Sequence, residues 1–144
     1  MGTKEKILIR YGHEYLFWSE GYYNVIELIE DYDIYLLVSL EYEKSIDFQN
    51  FLKKYEFLNC IYSPSIELFN LKSHRNFYIF IKDFLSSSNF NYIIQNDYIE
   101  VENMYIFTIA KEVLPETKLI VRTLSRSSSK NTFTILDSWE KSKI

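Results

Sequence analysis

Five short apolar runs punctuate this chain, at Ile7–Arg10, Ile34–Ser39, Asn59–Tyr62, Tyr92–Gln95 and Lys118–Arg122, and longer amphipathic stretches separate them. Strand-like runs alternating with helical ones mark a parallel sheet wrapped by helices. The runs are close to continuously apolar, which predicts a sheet covered on both faces. The expectation is an α/β fold: a three-layer αβα sandwich around a parallel five-stranded sheet. Such a sheet carries its ligand site where the strands end, at their carboxyl edge.

Strand one is expected over Lys6–Tyr11, two over Ile34–Ser39, three over Leu58–Tyr62, four over Asn91–Gln95 and five over Lys118–Thr123. A helical stretch from about Glu14 to Tyr32 has Val25, Leu28, Ile29 and Tyr32 at the spacing of an inward face, and Gly21 argues for a start near Tyr22. Helix two is expected from about Glu43 to Tyr55, three from Phe77 to Ser87, and four from Ile99 to Leu114. Residues 65–76 read as either a short helix or an ordered loop. Right-handed crossovers leave two strand orders, the Rossmann-like 3-2-1-4-5 and 2-1-3-4-5. The first places strands one and four side by side, and the candidate site assumes it.

At 144 residues with 47% hydrophobic content, the chain can bury one full core without disulfides or metal. Residues 1–124 read as the α/β domain. Residues 125–144 read as a connector or tail, on the way to a second domain that the sequence does not contain. A net charge of -4 argues against nucleic acid as a partner, since that affinity rests on basic patches. The one cysteine, Cys60, lies inside an apolar run and reads as a small buried hydrophobe. One cysteine permits no internal disulfide, which fits a reducing compartment. No stretch is long and apolar enough for a transmembrane segment, and no signal core precedes strand one, so a cytoplasmic location is expected. Gly2 suggests myristoylation, but Lys6 stands where Ser or Thr belongs.

Several chemistries lack their residues. Arg10-Tyr11-Gly12-His13 is not a glycine-rich dinucleotide turn, and no phosphate-binding Walker sequence occurs. No cofactor is therefore expected. With two histidines and one cysteine, an ordinary zinc site would have to draw on carboxylates, so no metal is expected either. No nucleophile elbow surrounds a serine. A phospho-acceptor receiver needs acids after strand one and at the end of strand three, where this chain has Arg10 and Ser63.

In order 3-2-1-4-5 the exits of strands one and four, Gly12-His13-Glu14 and Asn96-Asp97-Tyr98, face each other across a crevice. His13 is the candidate general base, because an imidazole titrates near neutrality. Asp97 could hold its tautomer, as the acid of a triad does. The plainer role for Asp97 is the N-cap of helix four. Gly12, Glu14, Asn96 and Tyr98 would line the crevice. Arg122 and Arg126, leaving the neighbouring strand, could clamp an anion or simply be solvated. Lys72, His74 and Arg75 read as solvated surface.

Two blocks carry a family resemblance: Lys6-Ile7-Leu8-Ile9-Arg10-Tyr11-Gly12-His13, and Tyr92-Ile93-Ile94-Gln95-Asn96-Asp97-Tyr98 with its following helix and Leu119-Ile120-Val121-Arg122. The chain resembles the amino-terminal domain of two-domain glycosyltransferases of the GT-B fold. The resemblance spans most of residues 5–124 and is one of layout. It implies that this domain holds a sugar or glycan acceptor while a second, similar domain holds a nucleotide-sugar donor. In some inverting members a histidine after the first strand is the base and an aspartate supports it, and His13 and Asp97 match those positions. No second domain follows Ile144, so a fragment or one subunit of a split enzyme is implied. The competing reading is a non-catalytic Rossmann-like module for protein interaction or small-ligand binding. A homo-oligomer is compatible with either.

Overall fold

The computed structural model describes residues 4–11, 30–56, 58–96 and 101–122. Five strands form one sheet: β1 (Glu5–Tyr11), β2 (Tyr32–Ser39), β3 (Asn59–Ser63), β4 (Tyr92–Asn96) and β5 (Lys118–Arg122). Every pairing is parallel and the order is β3-β2-β1-β4-β5. Of the two orders open to the sequence, the chain adopts the Rossmann-like one, with β1 at the centre and β4 beside it.

Three helices are described: α1 (Ile46–Lys54), α2 (Leu71–Ser86) and α3 (Val101–Val113). Phe48 and Phe51 of α1 close over Ile7, Ile9, Ile34, Leu36, Val38 and Ile94 on one face of the sheet. Phe77, Ile81 and Leu85 of α2, with Ile106, Ile109 and Ala110 of α3, close over Leu8, Leu37 and Ile93 on the other. Successive strand residues point to opposite faces, so odd positions of β1 serve α1 and even positions serve α2 and α3. The result is the expected three-layer αβα sandwich. Many of the aromatic residues pack within these layers, including Tyr35 edge-on to Phe90 and Phe48 edge-on to Tyr62.

The helix starts follow from their caps. The Ser45 side chain accepts from Phe48 N at 3.3 Å and opens α1, with Asp47 in the first turn and Lys53 and Lys54 in the last. Both placements complement the helix dipole. A 3-10 turn, Leu40–Lys44, occupies the stretch where the helix was expected to begin. α2 begins six residues before the expected Phe77, because Asn70 caps it by accepting from Ser73 N at 3.2 Å. Apolar Leu71 at the first position points to solvent, which is why the inward periodicity alone did not reach it.

Tyr32 does not belong to a helix face. It is the first residue of β2, in register with Glu5. The rest of the expected first helix, including Val25, Leu28 and Ile29, lies outside the described residues.

Candidate functional site

The carboxyl edge carries a row of buried polar side chains on the face that α2 and α3 cover. Reading across β3, β2, β1 and β4, it runs Ser63, Ser39, Arg10 and Gln95. Ser39 is in register with Ser63, and Arg10 with Gln95. Each residue falls two places after a core residue of its own strand (Ile61, Leu37, Leu8 and Ile93), so strand alternation turns all four to the same side.

Arg10 organises this row and is only 1% exposed. Its Nη2 donates to Ser39 Oγ at 3.0 Å. Its Nη1 donates to Leu37 O at 3.3 Å and to Ser63 Oγ at 3.5 Å. One guanidinium thus ties the carboxyl ends of three strands together. Burying a cation is costly unless it is hydrogen-bonded, and the planar fork of arginine supplies several donors at once. Next in the row, Gln95 Nε2 donates to the Asn103 carbonyl at 3.0 Å, joining the end of β4 to the first turns of α3. The sequence alone did not single out Arg10 as a site residue. Its role could not be read from β1 alone, because it depends on two serines that only the strand register brings within reach.

A second polar cluster joins α2 to α3. His74 Nε2 lies 2.9 Å from the Leu68 carbonyl, and Nδ1 lies 2.9 Å from the Tyr105 hydroxyl. A carbonyl only accepts, so Nε2 carries the proton, and in neutral imidazole Nδ1 accepts from Tyr105. His74 is therefore not a freely solvated side chain, as its sequence setting implied. It fastens the segment before α2 to α3. Lys72 and Arg75 are exposed, as expected.

Of the nominated residues, Gly12, His13, Glu14, Asp97, Tyr98 and Arg126 lie outside the described residues. Asn96 ends β4 and Arg122 ends β5, and their backbones are in register. The structure thus brings Asn96 and Arg122 to one place on the carboxyl edge. The pairing of Arg10 with Gln95 also shows that β1 and β4 reach that edge as neighbours.

Cys60 is half-buried in β3. Burial pushes its thiol up to about 11, against a hydrogen bond with Tyr62 that pulls it down. Such a thiol is a poor nucleophile near neutrality. Among the described residues, no group of three or more His, Cys, Asp or Glu is placed to hold a metal ion. No described helix is long and apolar enough to cross a membrane.

No family model matches the chain, and neither does any curated protein. Among solved structures it is similar to two crystal structures of the C-terminal domain of PF1911 hydrogenase from Pyrococcus furiosus. One is 15% identical over 85% of this chain and 95% of that one, with a TM-score of 0.54. The other is 14% identical over 83% of this chain and 93% of that one, with a TM-score of 0.49. At this identity the likeness speaks for the fold alone. The class defined by the sheet is that of Rossmann-like α/β domains.

Proposed function

We propose that this chain is the acceptor-side domain of a GT-B-like sugar-transfer enzyme, with a sugar or glycan hydroxyl bound in the crevice between the exits of β1 and β4. The observation that carries the reading is the adjacency of those two parallel strands, Arg10 opposite Gln95, at the switch point of the order. His13 would take the proton of the acceptor hydroxyl and Asp97 would hold the imidazole in the accepting tautomer. Asn96 and Arg122 would orient the acceptor. The nucleotide-sugar donor would be held by a second, similar domain. The buried row around Arg10 supports the reading from below, since it fixes the strand ends from which the crevice loops depart.

The test is an amide NMR titration of the isotope-labelled chain with a panel of glycosides. The expected result is saturable shifts at residues 10–14 and 95–98 that disappear in His13→Ala. Shifts confined to the amino edge, or none with any glycoside, would refute acceptor binding. In the longest natural form of the protein, His13→Ala should cost a roughly 10²–10⁴-fold loss of transfer, the range of a general base.

The interaction-module reading keeps one observation of its own: Phe69 is 95% exposed beside exposed Leu68 and Leu71. Side chains of this size clustered in solvent mark contact surfaces.

A further inference from the structure

We infer that this chain forms a twofold dimer through the carboxyl ends of β2 and β3. The inference develops the interaction reading and does not depend on the sugar reading. Two surface patches leave these strands from paired ends, Ser39 opposite Ser63.

The first patch follows β3. Leu68, Phe69 and Leu71 are exposed, Leu71 at 82%, with exposed Lys72 and Arg75 beside them on α2. The second follows β2. Ile46 is 76% exposed at the start of α1, Leu40 is exposed at the start of the 3-10 turn before it, and Glu41, Glu43 and Asp47 of the same turn and helix start are exposed. Glu67 offsets one cation of the first patch and Lys44 one carboxylate of the second, so the first stays net positive and the second net negative.

The first patch is also held in shape. Ser73 Oγ accepts from Glu67 N at 2.9 Å and donates to Asn70 O at 2.7 Å. Asn70 N donates to Glu67 O at 2.9 Å, and His74 holds the Leu68 carbonyl. An apolar ridge fixed before binding loses little freedom on binding.

The charges select the occupant. Each patch has an apolar centre, and their rims are opposite in sign. A twofold axis between them sets the first patch of one copy on the second patch of the other, and the reverse contact follows by symmetry. A second copy therefore satisfies both patches at once. An anionic lipid surface would suit Lys72 and Arg75 but would be repelled by the three carboxylates of the second patch. The interface lies over the ends of β2 and β3, on the opposite side of β1 from β4.

The experiment is sedimentation equilibrium on the wild type and two charge-reversed variants, each checked for its fold by circular dichroism. One variant is Lys72→Glu with Arg75→Glu, and the other is Glu41→Lys with Glu43→Lys. The wild type should dimerise in the micromolar range, and each variant alone should dimerise at least about tenfold more weakly because like charges now meet. An equimolar mixture of the two should regain dimer, since each altered patch then faces its complement. A wild type that stays monomeric at high micromolar concentration overturns the inference, as do variants that dimerise unchanged or a mixture that fails to recombine. A monomer that instead sediments with anionic vesicles overturns it in favour of lipid. None of these outcomes bears on the glycoside titration.

Discussion

Replacing Arg10 by methionine tests whether the buried row holds the strand ends. Methionine keeps most of the stem's volume, so little of the effect comes from a cavity. It removes a bond of 3.0 Å to Ser39, one of 3.3 Å to Leu37 O, and a contact to Ser63 at the 3.5 Å limit. Counting the first two at about 1.5 kcal/mol each, the low end for a charged donor, gives a loss of about 3 kcal/mol. In a domain of this length that lowers the melting temperature by roughly 6–12 °C. Urea unfolding followed by far-UV circular dichroism reads the loss directly, with an unchanged slope showing that the fold is kept. A second series places Arg10→Met on a Ser39→Ala, Ser63→Ala background. There the loss should shrink, because two of the acceptors that Arg10 serves are already gone. A solvated arginine would cost no more than about 0.5 kcal/mol. If Arg10→Met falls within that margin, the guanidinium does not tie the strands and the account of the row is wrong.

Asn70→Ala removes the cap of α2 and should cost about 1 kcal/mol in the same urea assay, with no loss if Ser73 N finds water instead. Tyr105→Phe deletes only the hydroxyl facing His74; hydrogen exchange should quicken at residues 67–70, and an unchanged rate would show that the segment is held without His74. For Cys60, a thiol raised from 9.0 to about 11 holds on the order of 100-fold less thiolate at neutral pH, so iodoacetamide should label it that much more slowly in the folded chain than in urea. The same shift has a sign for stability. Between pH 9 and 11 the unfolded chain releases this proton and the folded chain keeps it, so Cys60 draws stability down as pH rises through that window and has no effect below it.

The sheet was legible in the sequence because buried parallel strands are apolar along their whole length. Leu36, Leu37 and Val38 are consecutive and all buried, a pattern that a half-solvated strand would not show. The inward faces of the helices were legible for the matching reason: Phe48 and Phe51, or Ile106, Ile109 and Ala110, repeat at the helical period. What periodicity cannot see is a residue whose partners lie on other elements. Arg10 is defined by Ser39 and Ser63, and His74 by Leu68 and Tyr105, all joined only after folding. The start of α2 was hidden by Leu71, an apolar residue facing water. That Asn96 and Arg122 fall at strand ends was legible because the end of a strand is a local signal, and the strand order then makes them neighbours.

The central position of β1 has a consequence for how the chain comes into being. Its first partner, β2, begins at Tyr32, but its second, β4, begins only at Tyr92. A ribosome releasing this chain from the amino end sets free β1, β2 and β3 while one side of β1 still has no neighbour. Closing so wide a loop is slow compared with local contacts. For that interval the middle of the finished sheet is an open border, and the nascent chain depends on α2 and β4 emerging before another strand finds it.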